Sequence, residues 1–563
     1  MRGELQEASC KQPITQGKGV PGTTNNERLQ EEVTFTFSII TPNHTISHQN
    51  NTINMPPNND KYKFTIFGQD PDILQAMLAN ILSWCVRAFV PSLLPKLLPT
   101  CSEEEIELNE EVDADVLLPI PIPAPESESE AKASSKRLQS RTKCISIGRP
   151  GGMEQLRVIQ LKEGIMTVGY NVKHYCEPPF TPCTSKIAGS GSEIPSDCVV
   201  LSNECFSVNY ADCTIRWGLY ESAKQFVGWP IVPGFDIAGT VEYVGTGASS
   251  SLAADAADTD SQSQSFQVGD RVFGCTLFGA YSTKVLVPSI QLRKIPKGIT
   301  MEQAASLPAV ALTALHALSL AGYFPLPSVD IDTDTDTDTA AHKSTCTGGH
   351  SYSNRSILIH SAAGGVGGML VQMSKILGLG PIVGVVGTTS KVQAAKALGC
   401  DVVIDKSCQD LWELAQEVVT NAGLSGYKTI MDANGVSTLQ NSYNHLAATG
   451  RLVIFGFHSN LPMGRDMLSP FEWIRMARKM GSMPAFDPMD LVVDNKSVLG
   501  FNLSFFADEK EVVSSLFDQI CVWLEDGKLK CPIVSIFDSM DEIGKAHALI
   551  QSGRSIGKIV VRC

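Results

Sequence analysis

None of the 16 cysteines in this 563-residue chain stands in a Cys-x-x-Cys pair. That spacing builds zinc ribbons and thioredoxin-type redox centres, so neither motif is available here. The scattered thiols read as reduced and mostly buried. Positive charge is also short, with 45 Lys and Arg against 59 Asp and Glu, for a formal net charge of -14. Such a surface argues against unaided binding to nucleic acid. The opening residues, MRGELQEASCKQPITQGKG, lack an apolar core of signal-peptide length and are not rich in arginine. The expected location is the cytoplasm. Long apolar runs are scarce as well. Ile73 to Leu98 is the one tempting stretch, but Arg87, Pro91 and Pro95 interrupt it. It reads as an amphipathic or partner-binding segment, with peripheral membrane contact left open.

What is present changes character along the chain. Residues 1–140 combine an Asn/Thr-rich start, the apolar segment, an acidic run and a Pro-rich piece. This composition predicts a low-complexity extension, mostly disordered. From about Thr142 the pattern is globular, with polar inserts expected near 162–197, 248–265 and 330–354. Short apolar runs such as SILIHS, PIVGVVGT, DVVID, KTIMDANG and RLVIFGF alternate with helix-like segments. Strands alternating with helices predict an α/β fold with a doubly wound parallel sheet.

The sharpest motif is SILIHSAAGGVGG, where Gly364, Gly365, Val366 and Gly367 stand between an apolar strand and a helix. Glycine there allows a tight turn and close approach of a pyrophosphate to a helix N-terminus. The end of the following strand discriminates between cofactors. A ribose 2′-hydroxyl calls for an acid, a 2′-phosphate for cations and hydroxyls. GVVGTTSKVQ carries Thr388, Thr389, Ser390 and Lys391 with no acid, which favours NADP(H). Lys406, after VVID, adds a second charge, while Lys391 also fits an ordinary solvated lysine of a first helical turn.

VNYADCTIRWGLYESAKQFVGWPIVPGFDIAGTVEYVG, FQVGDRVFGCTLFGAYSTKVLVP, EQAASLPAVALTALHAL and the glycine turn together resemble the medium-chain dehydrogenase/reductase superfamily. Within it the chain is similar to the zinc-independent quinone oxidoreductases, the zeta-crystallin-like group. Its C-terminal portion is most similar to the vesicle amine transport homologues. The resemblance runs from about Thr142 to Val561 apart from the inserts. It implies a GroES-like β-rich substrate domain over residues 141–318 and 498–563, flanking a Rossmann domain over 319–497. It also implies hydride transfer from NADPH to a quinone or activated alkene, and a homodimer.

The resemblance implies site residues too. Zinc-dependent members of the superfamily place a cysteine ligand where this chain has Asn209 and a histidine where it has Phe235, so no metal is expected. Asn209 is implied beside the nicotinamide, and Tyr220 in the acceptor pocket as either a wall or a donor. Thr313, Phe455, Gly456, Phe501, Asn502 and Lys558 are implied cofactor contacts, the last toward a phosphate. His316 and His547 read as packing residues. An NADPH-binding, membrane-associated or sensing protein with vestigial activity remains the alternative.

Overall fold

Runs of four or five apolar residues without alternation suit strands buried on both faces, and Ile357–His360 and Ile382–Val386 are fully buried. The protein is represented by a computed structural model that describes residues 117–119, 141–161, 165–172, 195–245, 265–324, 355–460, 470–506 and 509–563. Six parallel strands form one sheet in the spatial order Val402–Asp405, Ile382–Val386, Ile357–His360, Tyr427–Asp432, Leu446–Ile454, Ser497–Gly500. Strand order therefore reverses between Ile357–His360 and Tyr427–Asp432, the switch point where such sheets open a crevice at their carboxyl ends.

Helices cover both faces. Pro308–Leu320, Gly365–Ile376 and Lys510–Glu525 share one core through Leu312, Leu315, Leu370, Met373, Leu516 and Phe517. On the opposite face Leu411, Ala415 and Val419 pack on Leu358, Val383 and Ile404. Burial of the Leu, Ile, Val, Met and Phe side chains among these contributes on the order of 1.5–3 kcal/mol each.

A second sheet of nine strands is mostly antiparallel and centres on the long strand Cys198–Val208. Asp236–Val244 and Lys284–Pro288 flank that strand, and Lys558–Arg562 pairs with its C-terminal half. The last strand also pairs in parallel with Val534–Phe537, so the end of the chain is woven into the substrate-side sheet. Lys143–Ile147 and Leu156–Gln160 form a separate two-stranded ribbon.

Several expected boundaries shift. Leu117–Pro119, inside the expected extension, pairs antiparallel with Ile165–Val168, and that strand falls inside the insert expected at 162–197. Ile165–Val168 runs parallel to Lys284–Pro288 as part of the nine-stranded sheet, so this stretch is core rather than insert. The strand Ser497–Gly500 straddles the boundary expected at 497/498, and Lys510–Glu525 packs on the parallel-sheet side. The return to the substrate side therefore begins only with Val534–Phe537. Apolar helix faces outrank position along the chain in deciding which core a helix joins. Similarly, Pro308–Leu320, cut by the boundary at 318, belongs to the Rossmann face. Ile73 to Leu98, the insert at 330–354 and nearly all of that at 248–265 lie outside the described residues. Among the described residues no helix is long and apolar enough to cross a membrane.

Gly557 joins the two halves. Its N–H donates to Ala363 O at 2.9 Å, and it forms a parallel bridge with Gly364. It has φ +64°, and an added Cβ would stand 2.1 Å from Ile533 O. Gly557→Ala is expected to cost about 2–3 kcal/mol in urea unfolding. Gly553→Ala, at φ +68° but in open space, should cost only about 1 kcal/mol. Equal effects would contradict the packing role given to Gly557.

Candidate dinucleotide and acceptor site

At the glycine turn, Ile357–His360 ends in Ser361, which takes a positive φ of 57°. Gly364 is the N-cap of the helix Gly365–Ile376. A Cβ on Gly367 would lie 2.2 Å from Ser361 O, and one on Gly365 would lie 2.8 Å from Val310 and 3.0 Å from the Lys558 stem. Glycine is thus required by close packing of the helix on the strand. The first-turn N–H groups of Gly365, Val366 and Gly367 have no intrahelical partner and face the carboxyl end of the sheet. A cradle without side chains, with spare donors at a switch point, fits a dinucleotide pyrophosphate.

Beside the turn lies a dry polar cluster around Asp236, which is fully buried. Its Oδ1 accepts the N–H of Ala309 at 2.6 Å, in the first turn of Pro308–Leu320, where the helix dipole favours an anion. Its Oδ2 accepts from the Ser207 hydroxyl, from Asn209 Nδ2 at 2.8 Å and from Lys558 Nζ at 3.2 Å. Lys558 Nζ also donates to Asn209 Oδ1 at 2.6 Å. The Asn209 amide is therefore fixed in orientation, oxygen to the cation and nitrogen to the carboxylate. Lys558, expected to reach a phosphate, instead spends two of its three N–H groups here, with its stem crossing Gly365. The Lys558 side chain is only 4% exposed.

A second buried network abuts the first. Asp212 accepts the N–H of Asn209 at 2.7 Å, the N–H of Gly234 at 3.1 Å and the Tyr281 hydroxyl at 3.0 Å. With Asp212 ionised, Tyr281 donates to it, and His547 Nε2, 3.2 Å away, then donates to Tyr281. His547 Nδ1 is then an acceptor for the Cys213 thiol at 3.6 Å. His547, expected to be a packing residue, is a link in this chain. Burial holds its pKa well below the usual value, so it is neutral. The same burial pushes Asp212 up to about 7 and the Cys213 thiol up to about 12.

Across the cleft, Tyr220 donates to Asn502 Oδ1 at 3.3 Å and shares a 2.7 Å bond with the Ser504 hydroxyl. Burial raises its pKa, keeping it neutral. Its ring meets Phe235 edge-on at 6.0 Å, and Phe235 tilts against Phe278 at 5.6 Å. Phe226 stacks on Tyr170 at 5.2 Å and tilts against Phe505 at 5.3 Å. Phe455 and Phe501 lie 6.2 Å apart, and Phe501 meets His316 at 4.7 Å, so His316 is an aromatic-packing residue. Thr313 spends its proton on Ala309 O at 2.6 Å. Gly456 brings its strand end against Ala433, 3.1 Å from its carbonyl oxygen to a would-be Cβ.

At the far end of the crevice, Thr388 and Ser390 hydroxyls lie 3.2 Å apart, and Lys391 Nζ donates to Gly553 O at 2.6 Å. Lys406 sits beside Gly387, 3.8 Å from a would-be Cβ to its Cε. The sequence shows no acid after Val386, yet the fold supplies one. Asp405, on the neighbouring strand, accepts the Thr389 hydroxyl at 2.6 Å. Donors from Ser407 and Thr389 hold Asp405 down at about 2.

Asn209, Lys558, the glycines and Val366 are thus together, Tyr220 meets Asn502, and Thr388, Ser390, Lys391 and Lys406 gather at the other end. Asp212, Tyr281, Ser207 and Asp405 were missed. Only Asp212 left a local signal, as the acid three residues after an N-cap asparagine. An open groove of 820 Å³ bordered by Arg271, Thr300, Glu302 and Arg562 lies elsewhere, on the outer side of the antiparallel sheet. Arg562 there is paired with Glu302 and Asp538.

Two family models match the chain. The alcohol dehydrogenase GroES-like domain covers residues 195–297, and the zinc-binding dehydrogenase domain covers 365–518. Both are domains of the medium-chain dehydrogenase/reductase superfamily, to which the chain is similar. Within the superfamily it is 27% identical to the human synaptic vesicle membrane protein VAT-1 homolog over 356 residues, 63% of this chain and 76% of that one. It is 28% identical to a 2-haloacrylate reductase of Burkholderia sp, over 64% of this chain and 90% of the relative. It is 26% identical to a quinone oxidoreductase of Pseudomonas aeruginosa with the same coverage. Among solved structures, Escherichia coli quinone oxidoreductase complexed with NADPH superposes with a TM-score of 0.51 at 20% identity, covering 75% of this chain and all of that one. The human VAT-1 homolog-like protein superposes with a TM-score of 0.52 at 17% identity, covering 75% of this chain and 98% of that one. These likenesses show the superfamily fold.

Lys558→Met leaves the Asp236 carboxylate buried without its cation and should cost about 3 kcal/mol in urea unfolding. Adding Asp236→Asn should recover part of that loss, and an unchanged single variant would refute the pairing. Asp212 gives a pH signature. Its folded pKa of about 7 lies above the ordinary aspartate value, so the folded state holds a proton that the unfolded state has released. Its stabilising contribution is complete below about pH 4 and is lost as pH rises through 7. The stability of Asp212→Asn relative to the parent should therefore rise across that window, and a flat difference would contradict a shifted Asp212.

Proposed function

We propose that the chain is a reductase that takes a hydride from NADPH and delivers it, without zinc, to a quinone or activated alkene. The observation that carries this reading is the Lys558 ammonium, held dry between the glycine turn and the Asn209–Asp236 pair. In zinc-dependent relatives a metal provides positive charge in this region. Here Phe235 packs among aromatic rings, and every lone-pair direction of Asp236 that the fold occupies is met by a donor. Bound NADPH supplies the hydride. The residues of the chain bind, orient and exclude water.

The first-turn N–H groups of Gly365 to Gly367 receive the pyrophosphate, and Thr388, Ser390, Lys391 and Lys406 receive the 2′-phosphate. Phe455, Phe501 and Thr313 border the nicotinamide half. Tyr220, Phe235, Phe278 and Phe226 form an apolar cleft suited to a flat electron-poor ring, with Phe505 exposed at its edge. As negative charge develops on the acceptor oxygen, the fixed charge of Lys558 and the remaining Asn209 N–H lower its energy. For a quinone, water supplies the proton that completes the hydroquinone, so no dedicated acid is required. The named activities of the Burkholderia and Pseudomonas relatives support the same class.

A homodimer is part of the proposal. Ser497–Gly500 ends the parallel sheet with a free edge among the described residues, and the preceding helix exposes Met489, Val492 and Val493. An apolar surface beside an open edge suits pairing with a second copy.

Purified full-length protein should consume NADPH with naphthoquinones or simple enones, and prefer it to NADH by about tenfold or more in kcat/KM, because the 2′-phosphate meets charge-assisted donors. Equal use of NADH would overturn the cofactor assignment. Tight NADPH binding with no turnover of any acceptor would leave a sensor rather than a reductase.

A further inference from the structure

Tyr170 reaches the aromatic cleft from a part of the chain that neither family model covers, since the matched GroES-like domain begins at residue 195. It follows the strand Ile165–Val168, the piece of expected insert that joins the nine-stranded sheet. The turn after that strand is fixed by its neighbours. Gly169 N–H donates to Leu286 O at 2.9 Å, and Tyr170 N–H donates to Leu277 O at 2.8 Å. A Cβ on Gly169 would stand 2.1 Å from Thr276 Oγ1. Thr276 in turn donates its N–H to Phe235 O at 2.7 Å and its hydroxyl to Phe278 O at 3.1 Å. The backbone that carries Tyr170 is therefore tied to the segments that carry Phe235 and Phe278.

The Tyr170 ring lies nearly parallel to Phe226, with 14° between the planes and centroids 5.2 Å apart. Phe505, from the parallel-sheet side, meets the same Phe226 ring at 5.3 Å and 60°. Tyr170 and Phe226 are half-buried, and Phe505 is 45% exposed. Tyr170, Phe226 and Tyr220 all pack against the cluster that holds Phe235 and Phe278, both of them buried. The cleft thus has two aromatic tiers. The inner one, Phe235 with Phe278 and Tyr220, adjoins the reacting end, because Phe235 precedes the Asp236 carboxylate that binds Asn209 and Lys558. The outer one, Tyr170 with Phe226 and Phe505, leaves ring surface in water. A flat apolar group laid on it gains both burial and ring-to-ring contact.

Resting on the reductase reading above, we propose that Tyr170 is a specificity-determining residue that, with Phe226, receives a second aromatic ring of the acceptor. The acceptor class is then an aryl-bearing quinone or enone. Its reducible group sits at the inner tier, and its second ring covers the Tyr170–Phe226 pair. A small one-ring quinone or a short enone engages the inner tier alone, so Tyr170 discriminates between acceptors and takes no part in the hydride step.

The test uses the full chain with saturating NADPH and two matched acceptor pairs. One is 1,4-benzoquinone with 2-phenyl-1,4-benzoquinone, the other but-3-en-2-one with 4-phenylbut-3-en-2-one. Within each pair only the phenyl ring differs. Both kcat and KM are measured for the parent, Tyr170→Leu and Tyr170→Phe. Tyr170→Leu is expected to lower kcat/KM for each phenyl acceptor about fivefold more than for its smaller partner, mainly through KM. Tyr170→Phe, which keeps the ring, should keep the parent's ratio. A smaller folded fraction lowers both members of a pair equally, so the ratio reads selectivity even if a variant folds poorly. An unchanged ratio in Tyr170→Leu would overturn the inference and leave the reductase reading intact, as would a parent that reduces only the smaller acceptors. An equal loss of ratio in Tyr170→Phe would also overturn it, because the ring would then not be the deciding group. A parent that binds NADPH and turns over none of the four acceptors removes the reductase reading and this inference together.

Discussion

The buried carboxylate of Asp236 couples parts of the chain that are far apart in sequence. Its four donors come from Cys198–Val208, from the N-cap Asn209, from the first turn of Pro308–Leu320 and from the final strand. Two of those elements belong to the antiparallel sheet, while the helix is packed into the parallel-sheet core. One ionised group in a dry place must satisfy all its lone pairs, and doing so fixes the position of both cores relative to the glycine turn. The cleft between them inherits its geometry from that requirement.

The neighbouring chain of Asp212, Tyr281, His547 and Cys213 serves the same end by different chemistry. Every member is fully buried, and with Asp212 ionised the donors run in one direction, from the Cys213 thiol through His547 and Tyr281 to the carboxylate. This chain holds Asn209 by its backbone while Asp236 and Lys558 hold it by its side chain. The resulting amide is pre-oriented before any ligand arrives, the condition under which hydrogen bonds contribute most to stabilising developing charge. Tyr220, in contrast, reaches across the cleft to Asn502 and Ser504, on the parallel-sheet side.

The α/β order, the glycine turn and the clustered hydroxyls after Val386 were legible because each depends on residues adjacent in sequence. Strand and helix periodicity is local, and so is the strand-turn-helix context of Gly364 to Gly367. Lys558 illustrates what was not legible. A lysine 193 residues from Gly365 was expected at a phosphate, yet it is bound by Asn209 and Asp236 because the last strand inserts beside Cys198–Val208. His547 looked like filler for the same reason, since its partners Tyr281 and Cys213 lie hundreds of residues upstream. Asp405 shows the limit from the other direction. The sequence after Val386 lacks an acid, but parallel pairing puts one from the adjacent strand against Thr389. The stretch Ile165–Val168, short and followed by polar residues, passed for insert because its burial is imposed by sheet neighbours and not by its own pattern.

Hydrogen–deuterium exchange of the full chain with and without NADPH tests the central claim most directly. The account predicts added protection at Ala363–Gly368, Thr388–Lys391, Ala433–Gly435, Phe455–Gly456 and Phe501–Ser504, with none at Ile299–Glu302 on the outer groove. Protection confined to that groove, or absent from the glycine turn, would contradict a dinucleotide site at the reversal of the parallel sheet.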